Sequence, residues 1–190
     1  GTLNAGHFLT ATALTVDSGA NLTFIASNTH AITTLNNSGT LTNNSNLSIS
    51  FGSTAINLIG GNISNNSGAT LTASAINIIG TSLSTISNSG TINGNIVGDS
   101  SNNNLTINGS ISGTIDLGLG NDTLNFGDSS HSSSVFTTSS NISVENINVN
   151  YGTLNAGNVL TATTLAVNNG ANLNLTTASH SATSVNLASG

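Results

Sequence analysis

The 190-residue chain contains no lysine, arginine, cysteine, proline, methionine or tryptophan. Each absence removes a class of chemistry. Without Lys or Arg no basic surface neutralises phosphates, which excludes nucleic acid as a partner. There is no guanidinium fork for substrate carboxylates and no lysine nucleophile. Without Cys there is neither a disulfide nor a thiolate metal site. Without Pro nothing interrupts a long ladder of backbone hydrogen bonds. The lack of Met reads as a processed product or an excerpt of a longer chain. No apolar run reaches the roughly 18 residues of a membrane span, so no membrane insertion is expected in this segment. No basic stretch precedes an apolar one, so no signal peptide is read here.

What is present is Asn, Ser, Thr and Gly, together 112 of the 190 residues, with Leu, Ile, Val and Ala. Aromatic residues are 3% of the chain, and six acidic residues set a net charge of −6. Such a composition often marks disorder. Here the charge is too sparse for self-repulsion, and the apolar residues are patterned.

The pattern is repetition. Residues 1–22, GTLNAGHFLTATALTVDSGANL, return as residues 152–173, GTLNAGNVLTATTLAVNNGANL, with 16 of 22 positions identical. The resemblance extends loosely over 1–31 and 152–182, so a long module restarts at 152. Inside it a phrase of small residue, Gly, small residue and apolar residue recurs at Gly19, Gly39, Gly68, Gly90, Gly109 and Gly170, about every 20 residues or at irregular multiples. Polar-apolar-polar triplets follow, such as Asn21-Leu22-Thr23 and Thr70-Leu71-Thr72. Longer alternations occur at Leu47–Phe51, Ile142–Glu145 and Ile147–Tyr151. This is strand chemistry, with the apolar residue inward and its neighbours outward. The glycines are expected to supply positive φ in turns.

Short strands of 3–6 residues at this spacing predict an all-β chain: a parallel β-helix (β-solenoid) with about 20 residues and two or three strands per coil. Residues 1–190 are read as one solenoid segment of a longer repeat protein, with a loop insertion at 127–140. Asn at the turns is expected to form side-chain ladders from coil to coil. The competing reading is a sandwich of hairpins.

At Asn37–Leu41, Asn88–Ile92 and Gly118-Leu119-Gly120-Asn121-Asp122-Thr123-Leu124-Asn125 the chain resembles the passenger region of bacterial autotransporters and related filamentous-haemagglutinin-like adhesins. The resemblance covers essentially the whole chain, largely through composition. It implies a right-handed parallel β-helix, secreted and displayed at the bacterial surface, with roles in adhesion, self-association and biofilm formation. The translocating β-barrel of such proteins is not in this sequence. A surface-layer protein or a shed filament subunit would share the composition.

Asp116, Asp122 and Asp128 stand six residues apart, the middle one in a Gly-rich stretch similar to the calcium nonapeptide of repeats-in-toxin proteins. Leu117 replaces the first Gly. Glycines making a tight turn and Asp oxygens suit a hard cation, so these three are candidate calcium ligands. Thr10/Thr12, Thr40/Thr42, Thr70/Thr72 and Thr161/Thr163 are read as a surface ladder that could line one flat face, in the manner of ice-binding solenoids. Asp128-Ser129-Ser130-His131 holds the ingredients of a Ser/His/Asp set, and among 30 serines such proximity arises by chance. His7, His30, His131 and His180 show no metal spacing and are read as turn or surface residues. Glu145 has no Asp near it in sequence, and a β-helix lyase would want Arg or Lys. No catalytic residue is assigned.

The expected function is a non-catalytic extracellular or cell-surface structural protein. Its partner is another copy of itself in a rod or filament, or a host-surface or glycan ligand. The alternative is a glycan- or ice-binding β-solenoid module. The shortage of aromatic platforms weighs against glycan clefts.

Overall fold

The computed structural model describes residues 1–25, 29–48, 55–168, 170–177 and 179–188. The chain is a β-solenoid: 58% strand, all in parallel pairs, wound into about nine turns of about 20 residues. Parallel pairing removes the hairpin sandwich. Among the described residues the one helical element is a 3-10 turn, Ser129–His131.

Three walls form each coil. The first wall stacks Thr2–Ala5, Asn21–Phe24, Thr40–Asn43, Asn62–Asn65, Thr85–Asn88, Asn104–Ile107, Thr123–Phe126 and Asn146–Val149, then 164–167 and 184–187. The central apolar residue of each triplet points inward, so Leu22, Leu41, Ile63, Ile86, Leu105, Leu124 and Ile147 form a column no more than 2% exposed. Burying each such side chain is worth about 1.5–3 kcal/mol, and the column repeats that gain at every coil.

The second and third walls are joined more tightly than the expected short strands allow. Thr29–Asn37 and Thr70–Ile78 each run without a break through a corner. The first half of Thr29–Asn37 pairs with Asn46–Ser48 and the second half with Ala55–Leu58. No turn phrase separates these two walls, so the backbone keeps its ladder and bends. In Thr91–Val97 the bend is a register shift between Asn93 and Asn95, with Gly94 at φ 147°. Of the alternation expected over Leu47–Phe51, residues 49–51 lie outside the described residues.

Coil length varies. Thr2 pairs with Asn21, whereas Asn62 pairs with Thr85 across a longer coil. The longest step takes Ile115 to Ile142, and the next, from Ile142 to Leu160, is among the shortest. The surplus falls within 127–134, which carries the 3-10 turn. The end of the stretch read as an insertion rejoins the rod. Val135–Thr138 pairs with Thr153–Ala156, which pairs with Asn172–Leu175, in a separate three-stranded sheet.

The long repeat is out of phase with the walls. Thr2–Ala5 lies in the first wall, but its copy Thr153–Ala156 lies in the separate sheet, which continues the second. Residues 13–16 pair with 34–37 of the third wall, whereas their copies 164–167 join the first. The second copy is therefore turned by one wall. It tolerates this because all three walls ask for the same polar-apolar-polar pattern.

Asparagine fills the corner after the first wall. Asn43 Nδ2 donates to Asn65 Oδ1 at 2.8 Å, and Asn65 Nδ2 to Asn88 Oδ1 at 2.7 Å. All three are fully buried. Each also donates to a carbonyl of the next coil: Thr70, Thr91 and Ser110 respectively. The amide satisfies backbone groups that a corner leaves without a ladder partner. Asn ladders also run over the surface, as from Asn57 to Asn36 at 2.8 Å.

The recurrent glycines divide into two kinds. Gly19, Gly68 and Gly170 adopt positive φ in open space, as expected. Gly39, Gly90 and Gly109 do not. A Cβ at Gly90 would sit 2.2 Å from the Ala69 carbonyl oxygen, and one at Gly109 2.0 Å from that of Gly90. Close coil stacking, not backbone torsion, requires them.

Candidate functional site

The corner leading into the first wall carries a one-way polar column. Ser84, Asn103, Asp122 and Glu145 occupy the position just before four successive first-wall strands. The side chains of Asn103, Asp122 and Glu145 each accept the backbone N–H of the counterpart one coil earlier. Ser84 N–H donates to Asn103 Oδ1 at 3.3 Å, Asn103 N–H to Asp122 Oδ1 at 2.6 Å, and Asp122 N–H to Glu145 Oε2 at 3.3 Å. Below them Gly60 N–H donates to Ser84 Oγ at 3.2 Å. A hydroxyl or an amide does this without charge. At Asp122 and Glu145 two carboxyl groups follow each other.

Asp122 is fully buried, and its Oδ2 has no partner. Burial pushes the Asp122 carboxyl up to about 6, and the facing Glu145 carboxylate adds to the rise, against the Asn103 N–H that pulls it down. Glu145 is half-buried and borders a shallow groove lined by Ser143, Thr161, Thr163, Ser181 and Thr183. The pair therefore presents one carboxylate to solvent and hides the other. Sequence reading missed this pair because its members stand a whole coil apart along the chain. The coil brings them together through the Thr123–Asn146 pairing of the next residues. The available signal was the run of polar residues, Ser84, Asn103, Asp122 and Glu145, immediately ahead of four successive first-wall triplets, where earlier triplets have Gly or Ala.

The three aspartates read as calcium ligands do not meet. Asp116 is exposed on the third wall, where its Oδ1 accepts the Gly118 N–H at 3.2 Å. Asp128 caps the 3-10 turn by accepting the Ser130 N–H at 2.8 Å, and its Oδ2 accepts Asn108 Nδ2 at 2.7 Å. Among the described residues no group of three or more His, Cys, Asp or Glu could hold a metal ion. Of the Asp128-Ser129-Ser130-His131 set, Asp128 and His131 meet, Oδ1 to Nδ1 at 2.7 Å. The hydrogen bond from His131 holds the Asp128 carboxyl below its ordinary value.

The expected threonine ladder of Thr10, Thr12, Thr40, Thr42, Thr70, Thr72, Thr161 and Thr163 is corrected by the structure, because the four pairs do not share a face. Thr40 and Thr42 lie on the first wall, and Thr70 and Thr72 on the second. Thr10 joins the second wall opposite Ala31, but Thr12 sits at the corner beyond it. There the pairing steps from Ala11 with Ile32 to Ala13 with Thr34, and Thr12 is exposed between the second and third walls. Thr161 lies on the third wall beside Ser143, and Thr163 at the next corner, where its N–H donates to the Glu145 carbonyl at 2.9 Å. Unequal coil lengths send equal phrases to different walls, and a bend within a phrase separates its two threonines.

His30 departs from the surface reading. It takes the place of an inward leucine in the second wall, opposite Leu47, and is fully buried. Its Nδ1 accepts the Leu9 N–H at 3.2 Å, its ring lies 4.5 Å from that of Phe24, and its Nε2 has no partner. His180 repeats the contact by accepting the Leu160 N–H at 3.3 Å. A fixed offset of 151 places His30 on Ser181. One residue fewer in the second copy makes His180 the true counterpart. Burial lowers the pKa of His30. A base whose pKa is lowered by folding gives stability that is present above about 6.5, its unfolded value, and lost as pH falls below it. We expect His30→Leu to flatten this acid-side loss in thermal melts followed by circular dichroism. An unchanged slope would show that another group carries it.

No helix among the described residues is long and apolar enough to cross a membrane. No family model matches the chain, and searches of the curated proteins and of the solved structures find no match.

Proposed function

We propose that this solenoid is a length of a non-catalytic extracellular rod, a bacterial surface adhesin or matrix filament of autotransporter-passenger type, which associates with copies of itself. One observation carries the reading. The two outward columns of the first wall are Thr, Asn or Ser at every rung except Ala166. Of the six acidic residues, five lie in turns and Asp116 on the third wall. A wall without charge buries against another without desolvating ions. Its hydroxyls and amides repeat once per coil, about 4.8 Å, a spacing that a second copy shares rung for rung. Many weak hydrogen bonds then add through multivalency.

Sedimentation velocity across salt concentrations tests this. Association is expected to persist essentially unchanged from low salt to about 1 M, where the screening length falls to roughly 3 Å. Dissociation in high salt, or a monomer under all conditions, would remove self-association and turn attention to a glycan ligand.

A further inference from the structure

The Asp122–Glu145 pair has a property that the rod-forming role does not use. We propose that Asp122 and Glu145 form a cation site between consecutive coils, occupied at neutral pH by one calcium-class ion. Three observations converge. Asp122 is fully buried, and one of its carboxyl oxygens has no partner although the other accepts the Asn103 N–H. The Glu145 carboxyl group faces it from the next coil, with Oε2 engaged by the Asp122 N–H. The chain has no Lys or Arg, and no histidine is among the groups acting on Asp122. Two carboxylates thus face each other with no protein counter-charge.

Either a proton or an ion from solution must balance them. Protons and a cation compete for such a pair, because a carboxylate must be deprotonated to ligate a metal. A divalent cation balances the two facing carboxylates where no Lys or Arg can. Asp122 Oδ2 and the free oxygen of Glu145 supply the protein ligands. Glu145 also borders the groove lined by Thr161 and Thr163, which opens its side of the pair to solvent. Calcium fits better than magnesium, because it accepts irregular oxygen shells while magnesium demands a near-ideal octahedron. The site lies where a clip matters most. Between Asp122 and Glu145 runs the inserted stretch 127–134, and the third-wall pairing here makes its longest step, from Ile115 to Ile142. An ion held by both side chains closes that loop across its base.

The experiment is calcium titration of the whole chain followed by differential scanning calorimetry. At a pH of about 7.5, saturating calcium is expected to raise the Tm by about 4–8 °C. At a pH of about 5 the rise is expected to be clearly smaller, because protons compete with the metal for both carboxylates. Asp122→Asn retains the acceptor for Asn103 N–H and offers an amide donor to Glu145. It should fold, melt at least as high as the unliganded parent at pH 7.5, and ignore calcium. Glu145→Gln should likewise lose the response. A Tm unmoved by calcium at pH 7.5, with Asp122→Asn still stabilised, would overturn the proposal and leave a pair that binds only protons. A calcium response surviving in both variants would also overturn it, by placing the ion elsewhere. Neither result bears on self-association, which sedimentation reads separately.

Discussion

Asn65→Ala is expected to destabilise the rod by about 3–5 kcal/mol, read from urea unfolding monitored by circular dichroism. Asn65 receives Asn43 Nδ2 at 2.8 Å and donates to Asn88 Oδ1 at 2.7 Å and to the Thr91 carbonyl at 3.0 Å. Truncation removes three hydrogen bonds at a site with no solvent contact. It leaves the Asn88 oxygen and the Thr91 carbonyl each without the donor Asn65 supplied, at about 1–3 kcal/mol apiece, and opens a small cavity. Leucine would fill the space and leave the same orphans. The control is Asn57→Ala, which breaks one half-exposed link to Asn36 and should cost less than about 1 kcal/mol. Equal costs for the two variants would show that the buried ladder is no stronger than the surface one.

The second large effect is a loss of stability on raising the pH through the titration of Asp122, measured in chelator so that no divalent cation intervenes. The folded-state value of about 6 lies above the ordinary 3.8. A group whose pKa folding raises contributes stability that is fully present below its unfolded value and lost as pH rises through the folded one. That rise corresponds to roughly 3 kcal/mol, disappearing between roughly pH 4 and pH 7. His30 acts in the opposite direction over part of the same range, so the parent profile is a compromise. Asp122→Asn isolates the two: it should abolish the loss on the neutral side and leave the acid-side loss from His30. A profile for Asp122→Asn that still falls between pH 5 and pH 7 would show that Asp122 is not the titrating group.

The architecture was legible because its signal is local. A triplet such as Thr40-Leu41-Thr42 states which residue turns inward, and its recurrence states the coil. The buried column from Leu22 to Ile147 follows from the triplets alone. Stacking across coils was less legible, because coils of unequal length break any counting rule. Equal Thr pairs landed on different walls for that reason, and the bend after Ala11 parted Thr12 from Thr10. Asp122 and Glu145 looked unrelated at a separation of 23, and His30 was matched to the wrong partner by one residue. Gly39 and Gly90 looked like turn formers because their phrase is shared with Gly68. What distinguishes them is the backbone of the coil beneath, and no local pattern carries that information. The even spacing of Asp116, Asp122 and Asp128 misled similarly, since about a third of a coil separates neighbours and sends them to different sides of the rod.

The one-wall offset of the long repeat sets how such a rod can lengthen. A segment copied at this interval need not comprise whole coils, since any wall accepts any phrase. Growth by duplication is thus free of a reading frame in space, much as a screw accepts thread of any length. It also sets direction. A surface feature of one module reappears on the adjacent side in the next, and three modules at this interval carry it once around the axis. A rod extended in this way displays the same chemistry on all sides and can be met from any approach.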